Sequence, residues 1–176
     1  MIAIRQATAF DVDAIAALMA PEIAQGAVLP RSIVVEDFLV AQEGSDLVGT
    51  VALTAQSARV IELGTLISTR QGVGLGPKLV EAAMSEAAAR GFDLVMALTA
   101  IPDFFEAVGF RVASHAPWIS ARQALAMPHP LPLAPTLDAT LAAEAKSRAC
   151  RACPLLQTCS QALLLRPIPA QRRKQA

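Results

Sequence analysis

Between residues 60 and 80 the chain reads Val-Ile-Glu-Leu-Gly-Thr-Leu-Ile-Ser-Thr-Arg-Gln-Gly-Val-Gly-Leu-Gly-Pro-Lys-Leu-Val. Gly72, Gly74 and Gly76 alternate with apolar residues, directly ahead of a stretch with helical periodicity. Glycines let the backbone bring several N–H groups to one point, and a following helix N-terminus adds partial positive charge. The chemistry this stretch could do is therefore to grip a phosphate or pyrophosphate. Spacing separates the phosphate loops. A Walker loop needs Gly-Lys followed by Ser or Thr; here Pro77 parts Gly76 from Lys78 and Leu79 follows, so the metal-binding hydroxyl is missing. A dinucleotide fingerprint needs G-x-G-x-x-G after the first strand of a βαβ unit, and the spacing here is G-x-G-x-G. A glycine-rich turn that merely joins a strand to a helix has the same local composition.

The elements that must position this loop can be read around it. Val60 to Ser68 is apolar and β-branched, hence a strand. After the loop, Leu79, Ala82, Ala83 and Ala87 mark the turns of an amphipathic helix that Gly91 stops. Upstream, Ile2 to Ala7 is a first strand, and Thr8 or Asp11 can cap a helix whose face is Val12, Ile15, Ala16, Leu18 and Met19. Pro21 is expected to break that helix, leaving Pro21 to Gly26 as a turn or a short second helix. Phe38 to Gln42 and Leu47 to Leu53 form two strands joined by the turn residues Glu43-Gly-Ser-Asp46. Downstream come a buried strand, Asp93 to Thr99, a short helix from Pro102 to Val108 closed by Gly109, and a strand beginning at Phe110. The order is β, α, three β, α, β, α, β, an α/β class.

Composition narrows the class. A chain of 176 residues is one ordinary domain, with or without an appendage, and 54% hydrophobic residues are ample for its core. Fifteen basic residues balance fifteen acidic ones, and the short basic tip Arg172-Arg-Lys174 is no nucleic-acid footprint. No apolar run reaches membrane-spanning length, and Met1-Ile-Ala-Ile-Arg5 lacks the apolar core of a signal peptide. Three cysteines, an odd number, argue against a secreted disulfide framework. A cytoplasmic protein without nucleic-acid or membrane partners is expected.

Gln71-Gly-Val-Gly-Leu-Gly76 resembles, position by position, the Gln/Arg-x-x-Gly-x-Gly/Ala coenzyme A loop of the GCN5-related N-acetyltransferases, and the element order is similar to theirs. Three further stretches look like the amino-acid N-acetyltransferases of the N-acetylglutamate synthase type. They are Gly26-Ala-Val-Leu-Pro-Arg-Ser32, Asp37-Phe-Leu-Val-Ala-Gln42 with Leu47 to Leu53, and Leu98-Thr99 followed by Phe104-Phe-Glu-Ala-Val-Gly-Phe110. Many acetyltransferases carry tyrosine where this chain has Phe105, and the chain has no tyrosine at all; phenylalanine there is what the glutamate-acetylating branch tends to show. Between Ser32 and Phe38 the chain is several residues shorter than that branch.

The resemblance implies an acyl-CoA N-acyltransferase fold, a mixed, mostly antiparallel sheet flanked by helices, over residues 1–125. It implies acetyl-CoA as co-substrate and a small amino acid as acceptor, most closely L-glutamate at the start of arginine synthesis, and leaves a homodimer open. The alternatives are another small amine as acceptor, or a non-catalytic acetyl-CoA sensor. Acetyl transfer needs a neutral amine, and an α-amino group with a pKa of about 8 arrives mostly protonated. Glu62, a lone acid in an apolar strand, is the candidate base; a rim glutamate facing water reads the same way in sequence. Alternation puts Glu62, Gly64 and Leu66 on one face and Ile61, Leu63, Thr65 and Ile67 on the other. In the family a bulge near Leu66 and Ile67 supplies N–H donors to the oxyanion, and the strand through Ser68 pairs with the pantetheine arm. The amides of Gln71, Gly72, Val73, Gly74, Leu75 and Gly76 take the pyrophosphate, with Lys78 or Arg70 beside it. Phe105 walls the thioester end or is a core aromatic. A substrate carboxylate calls for a guanidinium; Arg31 with Ser32 is the choice, Arg111 and Arg122 the spares.

A proline-rich connector, 126–135, leads into a helical extension, 136–176, in which Cys150, Cys153 and Cys159 have C-x2-C-x5-C spacing. That spacing suits zinc or an iron–sulfur cluster, one ligand short unless His115 or His129 completes it; a disulfide or free thiols are the other readings.

Overall fold

Two hydrophobic runs joined by Gly44-Ser45 start the sheet. β2 (Phe38–Glu43) and β3 (Asp46–Ala55) form an antiparallel hairpin in which Glu43 faces Asp46 and Phe38 faces Ala52. β1 (Ile2–Gln6) adds to the other side of β2, antiparallel. A computed structural model describes residues 1–114 and 161–169 of the chain. Its remaining elements are α1 (Val12–Ala24), β4 (Val60–Ser68), α2 (Leu75–Ala89), β5 (Leu94–Thr99), α3 (Pro102–Ala107), β6 (Arg111–Ser114) and β7 (Ala162–Pro167). The seven strands form a mixed, mostly antiparallel sheet in the order β1-β2-β3-β4-β5-β7-β6. Among the described residues no helix is long and apolar enough to cross a membrane.

Contacts divide the chain into two units, the first Met1–Thr54 with Leu63–Glu86, the second Ala55–Glu62 with the described residues from Ala87 on. In the first, Ile15 and Met19 of α1 bury completely or nearly so against Phe38, Val40, Ala52 and Ile67, with Leu18 and Ile23 packed alongside. A 3₁₀ turn, Ala9–Asp11, leads into α1, and Asp11 folds back on the residue that precedes this turn. The Asp11 carboxylate accepts hydrogen bonds from the Thr8 amide (2.7 Å) and hydroxyl (2.9 Å), and both of its oxygens are gripped by Arg5 of β1 at 2.7 and 2.8 Å. Arg5 first, then Thr8, hold this carboxyl well below the usual carboxylate range, against the opposing effect of burial.

Two expectations need correction. α1 does not break at Pro21 but runs through it to Ala24. Proline gives up its bond to the preceding turn, a cost of about 3 kcal/mol in a helix interior. Ile23, two residues on and packed on the core, holds the last turn in place. The second correction concerns the extension 136–176: residues 162–167 are not helical but form β7, inserted between β5 and β6 and antiparallel to both. Ala162, Leu163, Leu164 and Leu165 are all buried, the pattern of a strand covered on both faces. The connector and the rest of the extension lie outside the described residues.

Candidate functional site

In β4, burial from Ile61 on follows the expected alternation with one exception. Ile61, Leu63 and Ile67 are buried while Glu62, Gly64, Leu66 and Ser68 are half-exposed. Thr65 should share the buried face and does not. Its φ is +48°, the one left-handed non-glycine backbone among the described residues. A positive φ at this single residue swivels the adjoining peptide away from regular β geometry. A β-branched residue held there costs about 1–3 kcal/mol, a cost found mostly at working sites. The sequence-based expectation placed the irregularity at Leu66 and Ile67; threonine gave no sign of it.

β3 approaches β4 closely because residue 49 has no side chain. A Cβ on Gly49 would sit 2.8 Å from the Ile67 carbonyl oxygen, 3.0 Å from Leu79 and 3.3 Å from Leu75. The first turns of α2 thus rest on β3 through Leu75 and Leu79, both buried. This fixes where the helix N-terminus lies. The chain leaving β4 is tied down as well: the Thr69 amide and hydroxyl both donate to the Val48 carbonyl at 2.9 and 3.0 Å. Arg70 donates to one oxygen of Glu43 through Nε (3.0 Å) and Nη2 (2.8 Å), so this cation is engaged by the hairpin end. The Ser68 hydroxyl donates to the Arg70 carbonyl at 3.1 Å.

Between these anchors and Leu75, residues 71–74 are exposed. Gly72 has φ +76° and Gly74 φ +69°, and a Cβ on either would meet nothing within 4 Å. Left-handed glycines two apart leading into a helix are the backbone signature of a concave row of N–H groups, an anion nest at a positive helix end. Lys78 is exposed on the first turn of α2. Leu66, Ile67, Ser68, the loop from Gln71 to Gly76 and Lys78 are thus brought together in the first unit.

Arg31 lies in the same unit. Its Nη2 donates to Asp37 at 3.3 Å and its guanidinium sits 5.2 Å above the centroid of the buried Phe38 ring. Among the described residues it donates to no other group. Ser32 is exposed. Nothing in the sequence singled out Asp37 as the partner of Arg31, although a carboxylate six residues on, with a short turn between, was the available signal.

In the second unit, Glu62 is half-exposed and its Oε2 accepts a hydrogen bond from Gln56 Nε2 at 2.9 Å. Phe105 is a core aromatic, 4% exposed, with its ring edge-on to both Phe104 and Phe110 at 5.3 Å. The Thr99 hydroxyl accepts the Ile101 amide at 3.1 Å at the start of α3. Arg111 is exposed. Cys150, Cys153, Cys159, His115, His129 and Arg122 lie outside the described residues; among the described ones no group of three His, Cys, Asp or Glu is placed to hold a metal.

No family model and no curated protein sequence matches the chain. Solved structures do. N-acetylglutamate synthase from Neisseria gonorrhoeae, complexed with coenzyme A and N-acetyl-glutamate, aligns over 96% of this chain with a TM-score of 0.72 and 24% identity. The alignment takes in 35% of that protein, so this chain spans about a third of its length. Rv2747 from Mycobacterium tuberculosis, in complex with CoA, aligns over 93% of this chain and 97% of its own, with a TM-score of 0.66 and 20% identity. For yncA from Salmonella typhimurium, with its cofactor acetyl-CoA, the shares are 68% and 85%, the TM-score 0.58 and the identity 20%. At these identities the likeness is one of fold.

Proposed function

From a chain that has the fold of the GCN5-related N-acetyltransferases, we propose an acetyl-CoA-dependent N-acetyltransferase whose acceptor is the α-amino group of an amino acid, L-glutamate first among them. The observation that carries this reading is the loop after β4, with left-handed Gly72 and Gly74 leading into α2. A diphosphate is the ligand such a row of amides suits best. The pantetheine arm would then run along β4 from Ser68 toward Leu66, bringing the thioester to the swivel at Thr65.

In the reaction the neutral amine attacks the thioester carbonyl carbon, the new C–N bond forms, and the carbonyl oxygen becomes an oxyanion. Backbone N–H groups at Leu66 and Ile67 are the proposed donors to it, a contribution of about 3 kcal/mol for each well-placed donor. Collapse breaks the C–S bond and releases the CoA thiolate. The ammonium proton leaves through Glu62, directly or through water, with Gln56 fixing one carboxylate oxygen. No tyrosine exists to protonate the thiolate, so solvent is assigned that proton. Arg31, held by Asp37 and Phe38, would receive a substrate carboxylate, with Ser32 beside it. On this reading the product feeds arginine synthesis in the cytoplasm. The C-x2-C-x5-C cysteines are proposed as a separate metal site on spacing alone, to be read by metal analysis of the purified protein.

The test is release of free CoA thiol from acetyl-CoA across a panel of amino acids and small amines. Glutamate-dependent release that falls in Glu62→Gln and in Arg31→Met supports the assignment. Another amine giving the faster release would change the acceptor. Tight CoA binding with no acetylation of any acceptor would replace the enzyme by a sensor.

A further inference from the structure

Gly64 lies inside β4 and differs from both kinds of glycine met so far. Gly72 and Gly74 are left-handed; Gly64 is not. Gly49 is wedged against the Ile67 carbonyl, whereas a Cβ on Gly64 would meet nothing within 4 Å among the described residues. Neither backbone conformation nor crowding therefore calls for glycine here, and glycine in the interior of a strand weakens it. What remains is the open space itself. A strand glycine of this kind marks a place where a ligand comes close to the backbone.

The residues along the strand give this opening its chemistry. Gly64, Thr65 and Leu66 are all half-exposed, between buried Leu63 and buried Ile67, so a dissolved molecule reaches this part of β4. Thr65, the next residue, holds the left-handed swivel at which the thioester is placed. Glu62, the proposed base, is half-exposed two residues back on the same face, about 6.6 Å away at roughly 3.3 Å per strand residue. An amine that gives its proton to Glu62 and attacks a carbonyl carbon at Thr65 must stand over Gly64, the residue between them on that face. The nitrogen of an amino acid brings bulk with it, because its α-carbon also carries a carboxylate and a side chain. A methyl at residue 64 would occupy the place of that bulk.

We propose that the missing side chain of Gly64 is the opening through which the acceptor's amine and its substituted α-carbon reach the thioester, so that Gly64 sets the size limit of the acceptor. In the step itself the amine lone pair forms the C–N bond over Gly64, the C–S bond breaks to release the CoA thiolate, and the ammonium proton passes to Glu62. The inference rests on the acetyl-transfer reading above. It adds a specificity-determining residue that acts by having no side chain.

Gly64→Ala places one methyl in the opening. Thermal melting, CoA affinity by calorimetry and thiol release from acetyl-CoA are measured on the full chain. The acceptor is the fastest amine of the wild-type panel, L-glutamate on the reading above. A methyl in open space on a strand is expected to raise the melting temperature by about 1–4 °C. CoA affinity is expected to stay within a factor of about two of wild type. The kcat/KM for the acceptor is expected to fall roughly 10- to 200-fold, the effect of one methyl in a close-fitting site. A firmer fold with weaker transfer is a combination that a glycine kept only for folding does not produce. Undiminished kcat/KM in Gly64→Ala overturns the proposal. So does a lower melting temperature, which would show that the space is not open, and so does a CoA affinity that falls as far as the transfer rate. A wild-type protein that acetylates no amine of the panel fails at an earlier point: it removes the acetyl-transfer reading, and the role of Gly64 with it.

Discussion

Gly74 and Gly91 form an experiment already balanced by the structure. Both are left-handed, at φ +69° and +84°, and a Cβ on either meets nothing within 4 Å. Gly91 closes α2 in a Schellman cap, with the Phe92 amide bonded to the Ala87 carbonyl (3.1 Å) and its own to Ala88 (3.1 Å). Alanine at either site therefore costs the fold only the strain of a Cβ in the left-handed region, about 1 kcal/mol. In a domain of this size that lowers Tm by about 2–4 °C. The two variants must differ in ligand binding. A methyl at 74 restricts the left-handed backbone that aims these amides at the proposed diphosphate, and loss of one charge-assisted hydrogen bond to the ligand forfeits about 1.5–3 kcal/mol. CoA affinity should fall about 10- to 100-fold in Gly74→Ala and stay within a factor of about two in Gly91→Ala. Urea titration and calorimetry on the two proteins supply both quantities. Equal stability losses with equal, undiminished CoA affinity would show that the loop is only a connection between β4 and α2.

Gly49→Ala, pressed against the Ile67 carbonyl at 2.8 Å, should cost about 1–3 kcal/mol by denaturant titration, because backbone cannot rotate away as a side chain can; a loss below about 0.5 kcal/mol would mean that the approach of β3 to β4 is looser than described. Thr65→Gly should leave stability unchanged or raise it, since relief of left-handed strain offsets the added chain entropy; a loss above about 2 kcal/mol would contradict the strain. The Asp11 carboxyl is held below its ordinary range, so as pH falls the unfolded chain takes up this proton before the folded one. Its contribution is complete above about pH 5 and disappears as pH drops through about 4 and below. Asp11→Ala is expected to cost about 2 kcal/mol near neutral pH, toward the low end because Arg5, with a side chain 37% exposed, regains water. Melting measured from about pH 7 down to 3 should accordingly slope less in this variant than in wild type.

What the sequence displayed and what it hid divide along physical lines. The phosphate loop was legible because left-handed backbone leaves its mark in residue type: glycine stands at 72 and 74, where φ is positive. The hairpin at Gly44-Ser45 and the amphipathic α2 were legible for the same local reasons. Thr65 was not, because threonine does not advertise a left-handed φ, and only the tertiary setting holds it there. β7 was hidden more deeply. Ala-Leu-Leu-Leu is as good a helix as a strand by propensity, and its partners, β5 and β6, are remote in sequence. Pro21 misled because its local penalty is outweighed by the packing of Ile23 two residues on. At the candidate site, Arg31 drew notice through its motif, while Asp37, its partner six residues on, offered only a local spacing that many unpaired carboxylates share.

Backbone amide chemical shifts of ¹⁵N-labelled protein, followed as CoA is added, address the loop most directly. The amides of Gly72, Val73, Gly74, Leu75 and Gly76 should show the largest changes, downfield as each N–H takes a phosphate oxygen, and dephosphorylated pantetheine should leave them nearly still. Saturating CoA that moves other amides and leaves these in place would contradict the diphosphate seat, and the proposed acetyl transfer with it.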